Sequence, residues 1–214
     1  MIYQLRGTCA SGKSTVVRQF LETYGAERRE IVVEPDHPFS HPRAKGKEGN
    51  RPKTWIGYEL PGELVVLGKY EKANVGFEGN NQDWSRDVVA ACARAYRHVV
   101  FEGYYMSQAS NVWLPILEAL NEEGARALPF VVKTMNTPFE VCMDRVVART
   151  PERQLTKPTN MDVQRQHYEQ LHGRVMKKLK GWADNRGLLR AEWVDYESAY
   201  DDLVRELRSD GWAG

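Results

Sequence analysis

The chain has 214 residues, a formal net charge of +1 and 42% hydrophobic residues. That length suits one α/β domain with insertions, and the apolar fraction excludes global disorder. No apolar run approaches a bilayer span, the N-terminus lacks the basic and apolar regions of a signal peptide, and the near-zero charge argues against a long grip on duplex DNA. Three cysteines, Cys9, Cys92 and Cys142, have no paired spacing, which fits neither a disulfide framework nor a zinc site.

Met1 to Arg6 reads as a short buried strand and Val16 to Tyr24 as the first turns of a helix. Between them stand Gly7, Thr8, Cys9, Ala10, Ser11, Gly12, Lys13, Ser14 and Thr15, a complete G-x-x-x-x-G-K-S loop and the residue after it. A strand, a glycine loop and a helix in that order form a phosphate-binding site, because backbone N–H groups and the helix N-terminus face the anion. In such a loop Lys13 reaches the terminal phosphates and the Ser14 hydroxyl ligates Mg²⁺, so ATP and Mg²⁺ are the expected cofactors. A loop beginning at Gly7 leaves no room for a transit peptide, and a cytoplasmic location with no membrane partner is expected (the host cytoplasm if a phage encodes the chain).

Glu30 to Val33 reads as a second strand, followed by Glu34, Pro35 and Asp36. Glu34 and Asp36 are two apart on an extended segment, point the same way, and are both candidates for a general base. Residues 37–80 do not fit a minimal fold and read as a substrate-binding insertion. This stretch carries Arg43, Lys45, Lys47, Arg51 and Lys53, with Trp55, Tyr58 and Tyr70 among its aromatics.

Helices are expected at 81–96, 112–121, 138–149, 162–186 and 198–208, with strands at His98–Phe101, Leu128–Thr134 and Ala191–Val194. The alternation predicts a single three-layer α/β domain of the P-loop NTPase type, with a mostly parallel sheet and helices on both faces. Glu102 follows an apolar strand and is placed to hold the metal beside Ser14. Arg145 and Arg149 share a helix face, and with Arg153 they suggest a helical lid over 145–160 that closes on the transferring phosphate.

The P-loop, the lid arginines and the length resemble the small P-loop nucleoside and nucleotide kinases. A closer resemblance lies in Val66-Leu67-Gly68-Lys69-Tyr70-Glu71, the glycine-bearing loop after it, and Val99-Val100-Phe101-Glu102-Gly103. These segments are similar to a bacteriophage family of P-loop kinases that includes the 5-hydroxymethyluracil DNA kinases of thymine hypermodification. The family often has His where Lys69 stands. The resemblance implies transfer of the ATP γ-phosphate to the hydroxymethyl group of 5-hydroxymethyluracil in DNA. A kinase of free deoxynucleosides or deoxynucleotides, and a nucleotide-binding regulatory module, are the alternatives. In the DNA reading, Arg43 and its basic neighbours meet phosphates, and Trp55, Tyr58 and Tyr70 offer stacking surfaces.

Overall fold

The computed structural model describes residues 1–33, 53–71, 82–103, 117–118, 120–122, 128–149, 158–178, 180–181 and 189–214. Three apolar runs form its centre, each buried along its whole length: β1 (Ile2–Arg6), β5 (His98–Glu102) and β6 (Phe130–Met135). Strands covered on both faces read as continuous rather than alternating apolar runs, which is why they stand out in the sequence. With β2 (Glu27–Val33), β3 (Lys53–Leu60), β4 (Leu64–Leu67) and β7 (Leu189–Val194) they make one sheet in the order β2-β3-β4-β5-β1-β6-β7.

Five strands, β4-β5-β1-β6-β7, pair in parallel, while β3 is antiparallel to both of its neighbours. The expected mostly parallel sheet is therefore present. The second expected strand is longer, however, and forms the sheet edge. The 37–80 stretch also does more than decorate the domain, since it supplies β3 and β4. The register carries the β2–β3 ribbon beyond β4: Gly57 faces Leu67 at the end of β4, and four more pairs follow, from Ile56 with Glu30 to Lys53 with Val33. At about 3.4 Å per residue the ribbon rises roughly 13 Å past the carboxyl end of β4.

Helices cover both faces. On one, α1 (Lys13–Thr23) and α5 (Ala199–Ser209) bury Val17, Phe20, Leu203 and Leu207 against Tyr3, Leu5, Val100 and Val131. Val16, Val17, Phe20 and Leu21 recur at helical spacing, so α1 presents a single apolar stripe to the sheet. On the other face, α2 (Gln82–Ala95) packs Val88, Val89 and Cys92 with Ile2, Val99, Phe101 and Val132. Full burial of each such side chain contributes about 1.5–3 kcal/mol. Lys133 is a buried cation under β6, with Glu192, Asp202 and Glu206 at 2.6, 3.3 and 2.9 Å. Burial alone would lower its pKa, but the hydrogen bonds to Glu192 and Glu206 outweigh it and hold the ammonium charged.

The helices α3 (Phe139–Arg149) and α4 (Pro158–Gln170) follow β6. The long helix expected over 162–186 is interrupted by a π-helical turn at Leu171–Val175. Leu171 and Met176 are five residues apart and both buried. In a regular α-helix that spacing leaves two side chains about 140° apart, and the extra residue of the π turn brings them to one face. Residues 117–118 and 120–122 are helical, as expected within 112–121. No helix among the described residues is long and apolar enough to cross a membrane.

Candidate active site

The loop between β1 and α1 is shaped by its small residues. A Cβ on Gly7 would lie 2.4 Å from the Ser11 Oγ, closer than two such atoms approach, and Ser11 is fully buried. Gly12 caps α1 at φ 107, a left-handed conformation that glycine adopts without strain.

The loop carbonyls are held from outside. Lys13 folds back so that its Nζ donates to the carbonyls of Gly7 and Thr8, both at 2.9 Å. The Arg145 Nη1 donates to the Ala10 carbonyl at 3.2 Å, and the Thr137 hydroxyl to that of Ser11 at 2.8 Å. Cys142 reaches the Thr8 hydroxyl at 3.6 Å. Burial pushes this thiol above its ordinary pKa, so it is a neutral packing group. With these carbonyls engaged, the start of α1 and the remaining loop N–H groups are what the loop offers an anion. Gly7, Thr8, Cys9, Ala10, Ser11, Gly12, Lys13, Ser14 and Thr15 stand together in this loop and fit an anion, with Cys9 exposed on it.

Ser14 and Glu102 meet as their positions in the sequence suggest. The Ser14 hydroxyl donates to the Glu102 Oε1 at 2.7 Å, and Glu102 is buried. A hydroxyl and a carboxylate side by side are hard oxygen ligands of the kind Mg²⁺ takes alongside phosphates and water. The pair fits such an ion, although no cluster of three or more His, Cys, Asp or Glu stands among the described residues. Gln4 is fully buried and fixes the segment next to this carboxylate. The Gly103 N–H donates to the Leu5 carbonyl at 3.1 Å, and the Gln4 Nε2 donates to the Gly103 carbonyl at 3.0 Å. Where β1 leaves the sheet at Gly7, a side chain takes over the pairing that backbone would otherwise continue.

Arg145 and Arg149 lie on the β6–β7 side of the loop, across β1 from Glu102. They line a cavity of about 350 Å³ with Ser11, Gly12, Thr15, Gln19, Tyr196 and Tyr200. The Arg145 guanidinium stands 5.7 Å from the centre of the Tyr196 ring, so a flat group entering there meets a cation and an aromatic face. Arg145 thus sits between the loop carbonyl of Ala10 and the Tyr196 ring, on the wall of this cavity.

The aromatic candidates are buried. Trp55, Tyr58 and Tyr70 are 7%, 9% and 5% exposed. Tyr58 and Tyr70 pack with ring centroids 5.9 Å apart, and the Tyr70 N–H donates to the Tyr58 hydroxyl at 3.2 Å. They anchor β3 to the turn after β4, which corrects their reading as open stacking surfaces: a base reaches only an exposed ring face. Glu34, Asp36, Arg43 and Arg153 lie outside the described residues, as does residue 150–157 of the expected lid. The end of β2 at Val33 reaches the carboxyl edge of the sheet four strands from β1, about 19 Å sideways.

Sequence reasoning missed Gln4, Thr137, Tyr196 and Tyr200. Gln4 had a signal, a lone amide inside an apolar strand. Tyr196 also had one, since it follows β7 at the edge where ligands bind in such sheets.

No protein-family model matches the chain. A curated relative, the 5-hmdU DNA kinase of Pseudomonas phage PaMx11, is 28% identical over 170 residues, 75% of this chain and 77% of the relative. Among solved structures, a deoxyadenosine kinase from M. mycoides with bound dATP aligns with 97% of this chain and 100% of its own at 13% identity and a TM-score of 0.43. A second structure of that enzyme, with dCMP and dCDP, aligns with 98% and 99% at 12% identity and 0.40. With its phosphate loop seated between β1 and α1 and the Ser14–Glu102 pair beside it, the chain is similar to this phage kinase over three-quarters of its length.

Proposed function

We propose that the chain transfers the γ-phosphate of ATP to the hydroxymethyl oxygen of 5-hydroxymethyluracil in DNA. The observation that carries this reading is the phage relative, whose similarity extends over three-quarters of both chains. The two-sided site supports it. The cavity at Arg145 and Tyr196 has room for the ATP base, and the β2–β3 ribbon stands at the carboxyl edge on the other side of Glu102, where an acceptor would lie.

In this reading the acceptor oxygen attacks the γ-phosphorus, the bond to the β–γ bridging oxygen breaks, and ADP leaves. Glu34 or Asp36, each of which follows the end of β2 in the sequence, accepts the hydroxyl proton. Lys13 leaves the carbonyls of Gly7 and Thr8 to neutralise charge on the phosphoryl oxygens. Ser14 and Glu102 would hold Mg²⁺, which supplies charge neutralisation across the β- and γ-phosphates. The acceptor base must leave a duplex stack to reach this edge, so single-stranded or distorted DNA is the better substrate.

Labelled ATP with hydroxymethyluracil-containing DNA, plain DNA and free nucleosides and nucleotides tests the reading. Label on the modified DNA alone is the expected result. Rapid labelling of monomers with none on DNA would leave the kinase assignment and remove the acceptor.

A further inference from the structure

We infer that Lys69 is the cation that holds a phosphate of the acceptor, an inference resting on the acceptor reading above. The motif Val66-Leu67-Gly68-Lys69-Tyr70-Glu71 ends β4, and every neighbour of Lys69 is committed to structure. Val66 and Leu67 are fully buried in the sheet. Gly68 sits at φ 135, its N–H donates to the Ile56 carbonyl at 3.0 Å, and a Cβ there would lie 2.9 Å from the Tyr70 ring. Tyr70 is buried, and its hydroxyl donates back to the Leu67 carbonyl at 3.1 Å. Glu71 is paired with Arg28 at 2.9 Å. Lys69 is exposed on this fixed turn and has no hydrogen bond or ion pair among the described residues.

Its place decides what it meets. Leu67 is in register with Phe101, so Gly68 is level with Glu102 and Lys69 with Gly103, one strand away from the metal carboxylate. β4 is two strands from β1, about 10 Å sideways from the phosphate loop. The donor base cavity opens on the opposite side, at Arg145 and Tyr196, and the donor phosphates already have Lys13. The anion at Lys69 is therefore the acceptor's. Arg28 and Arg29 on the neighbouring ribbon are occupied by Glu71, Glu27 and Glu59, whereas Lys69 has no partner among the described residues. A lysine ammonium suits a single contact to a non-bridging oxygen, held as a point charge.

The test is the KM for hydroxymethyluracil-containing DNA across a salt series, for wild type, Lys69→Ala and Lys69→Arg, each checked for an unchanged melting temperature. In Lys69→Ala the KM rises several-fold at low salt, and the slope of log KM against log salt falls by about 0.7–0.9, the share of one phosphate contact. The KM for ATP and kcat at saturating DNA stay within twofold, and Lys69→Arg restores the slope. An unchanged KM and slope, a raised KM for ATP, or a loss of kcat without a change in slope each overturns the assignment. If wild type labels only monomers, the DNA acceptor fails separately. The inference then survives if Lys69→Ala raises the KM of the 5′-monophosphate and not of the nucleoside, and is overturned if the two respond alike.

Discussion

At the scale of single residues, the site depends on side chains that hold backbone. Lys13 bridges two carbonyls of its own loop, and in the proposed reaction the same ammonium meets the transferring phosphate. Lys13→Ala should lower kcat about 10²–10³-fold in a protein that still folds, since the side chain holds the loop and packs in no apolar cluster. Turnover near wild type at saturating ATP would remove the loop from the mechanism. Gln4 makes the subtler case. Gln4→Leu strands the Gly103 carbonyl, a cost of about 1–3 kcal/mol for an unsatisfied buried acceptor. That cost is partly offset because the Gln4 Oε1 is itself buried without a hydrogen bond. The expected outcome is a several-fold rise in the Mg²⁺ concentration giving half-maximal activity, with the KM for ATP at saturating Mg²⁺ little changed. An unaltered Mg²⁺ requirement would reduce Gln4 to packing. The phosphate loop and Glu102 were legible from residue type and spacing. Gln4 was not, because its partner is a backbone carbonyl distant in sequence.

At the scale of elements, α4 and the π turn are tied to the sheet by a ladder of rings. Phe139 at the start of α3 meets Tyr168 edge-on at 5.3 Å, Tyr168 stacks on His172 at 4.1 Å, and His172 stacks on Trp193 of β7 at 4.5 Å. The Arg165 guanidinium lies 4.6 Å from the centre of the Phe139 ring and caps the ladder. Burial lowers the pKa of His172 below its ordinary value, and its Nε2 has no hydrogen bond. Above about pH 6.5 the imidazole is neutral in folded and unfolded chains, so it adds no pH dependence. As pH falls below that value the unfolded chain takes up the proton first, and folding weakens until the folded pKa is also passed. Urea midpoints at pH 7.5 and 5.5 should therefore differ more in wild type than in His172→Phe. Equal differences would mean that the ring titrates alike in both states. The π turn was not visible in the sequence, because helical propensity runs through it and only the shared burial of Leu171 and Met176 demands the extra residue.

At the scale of the molecule, the parallel centre could be read from its apolar runs and the order of its elements, since a βαβ chain has few ways to bury such strands. The edge could not. Glu30 to Val33 looks like another parallel strand until its partner is known, and that partner, β3, lies in a stretch whose polar, glycine- and proline-bearing start resembles a loop. The buried aromatics followed the same error: Trp55 and Tyr58 sit on a strand, where side chains alternate between faces and pack on the layers above and below. The result divides the molecule along β1, with the Arg145–Tyr196 cavity toward β7 and the ribbon toward β2.

The ribbon that overhangs β4 also bears on how such a protein diversifies. Its two strands are fixed by seven register pairs, and the segment joining Val33 to Lys53 departs and returns at the outer edge of the sheet. Doubling the length of a connection costs only about 0.6 kcal/mol, and neither the phosphate loop, the Ser14–Glu102 pair nor the Arg145 cavity is strung on this one. Descendants of this chain can lengthen or recharge the part of that connection beyond Asp36 and meet new acceptors, while the phosphate loop and the Ser14–Glu102 pair are inherited unchanged.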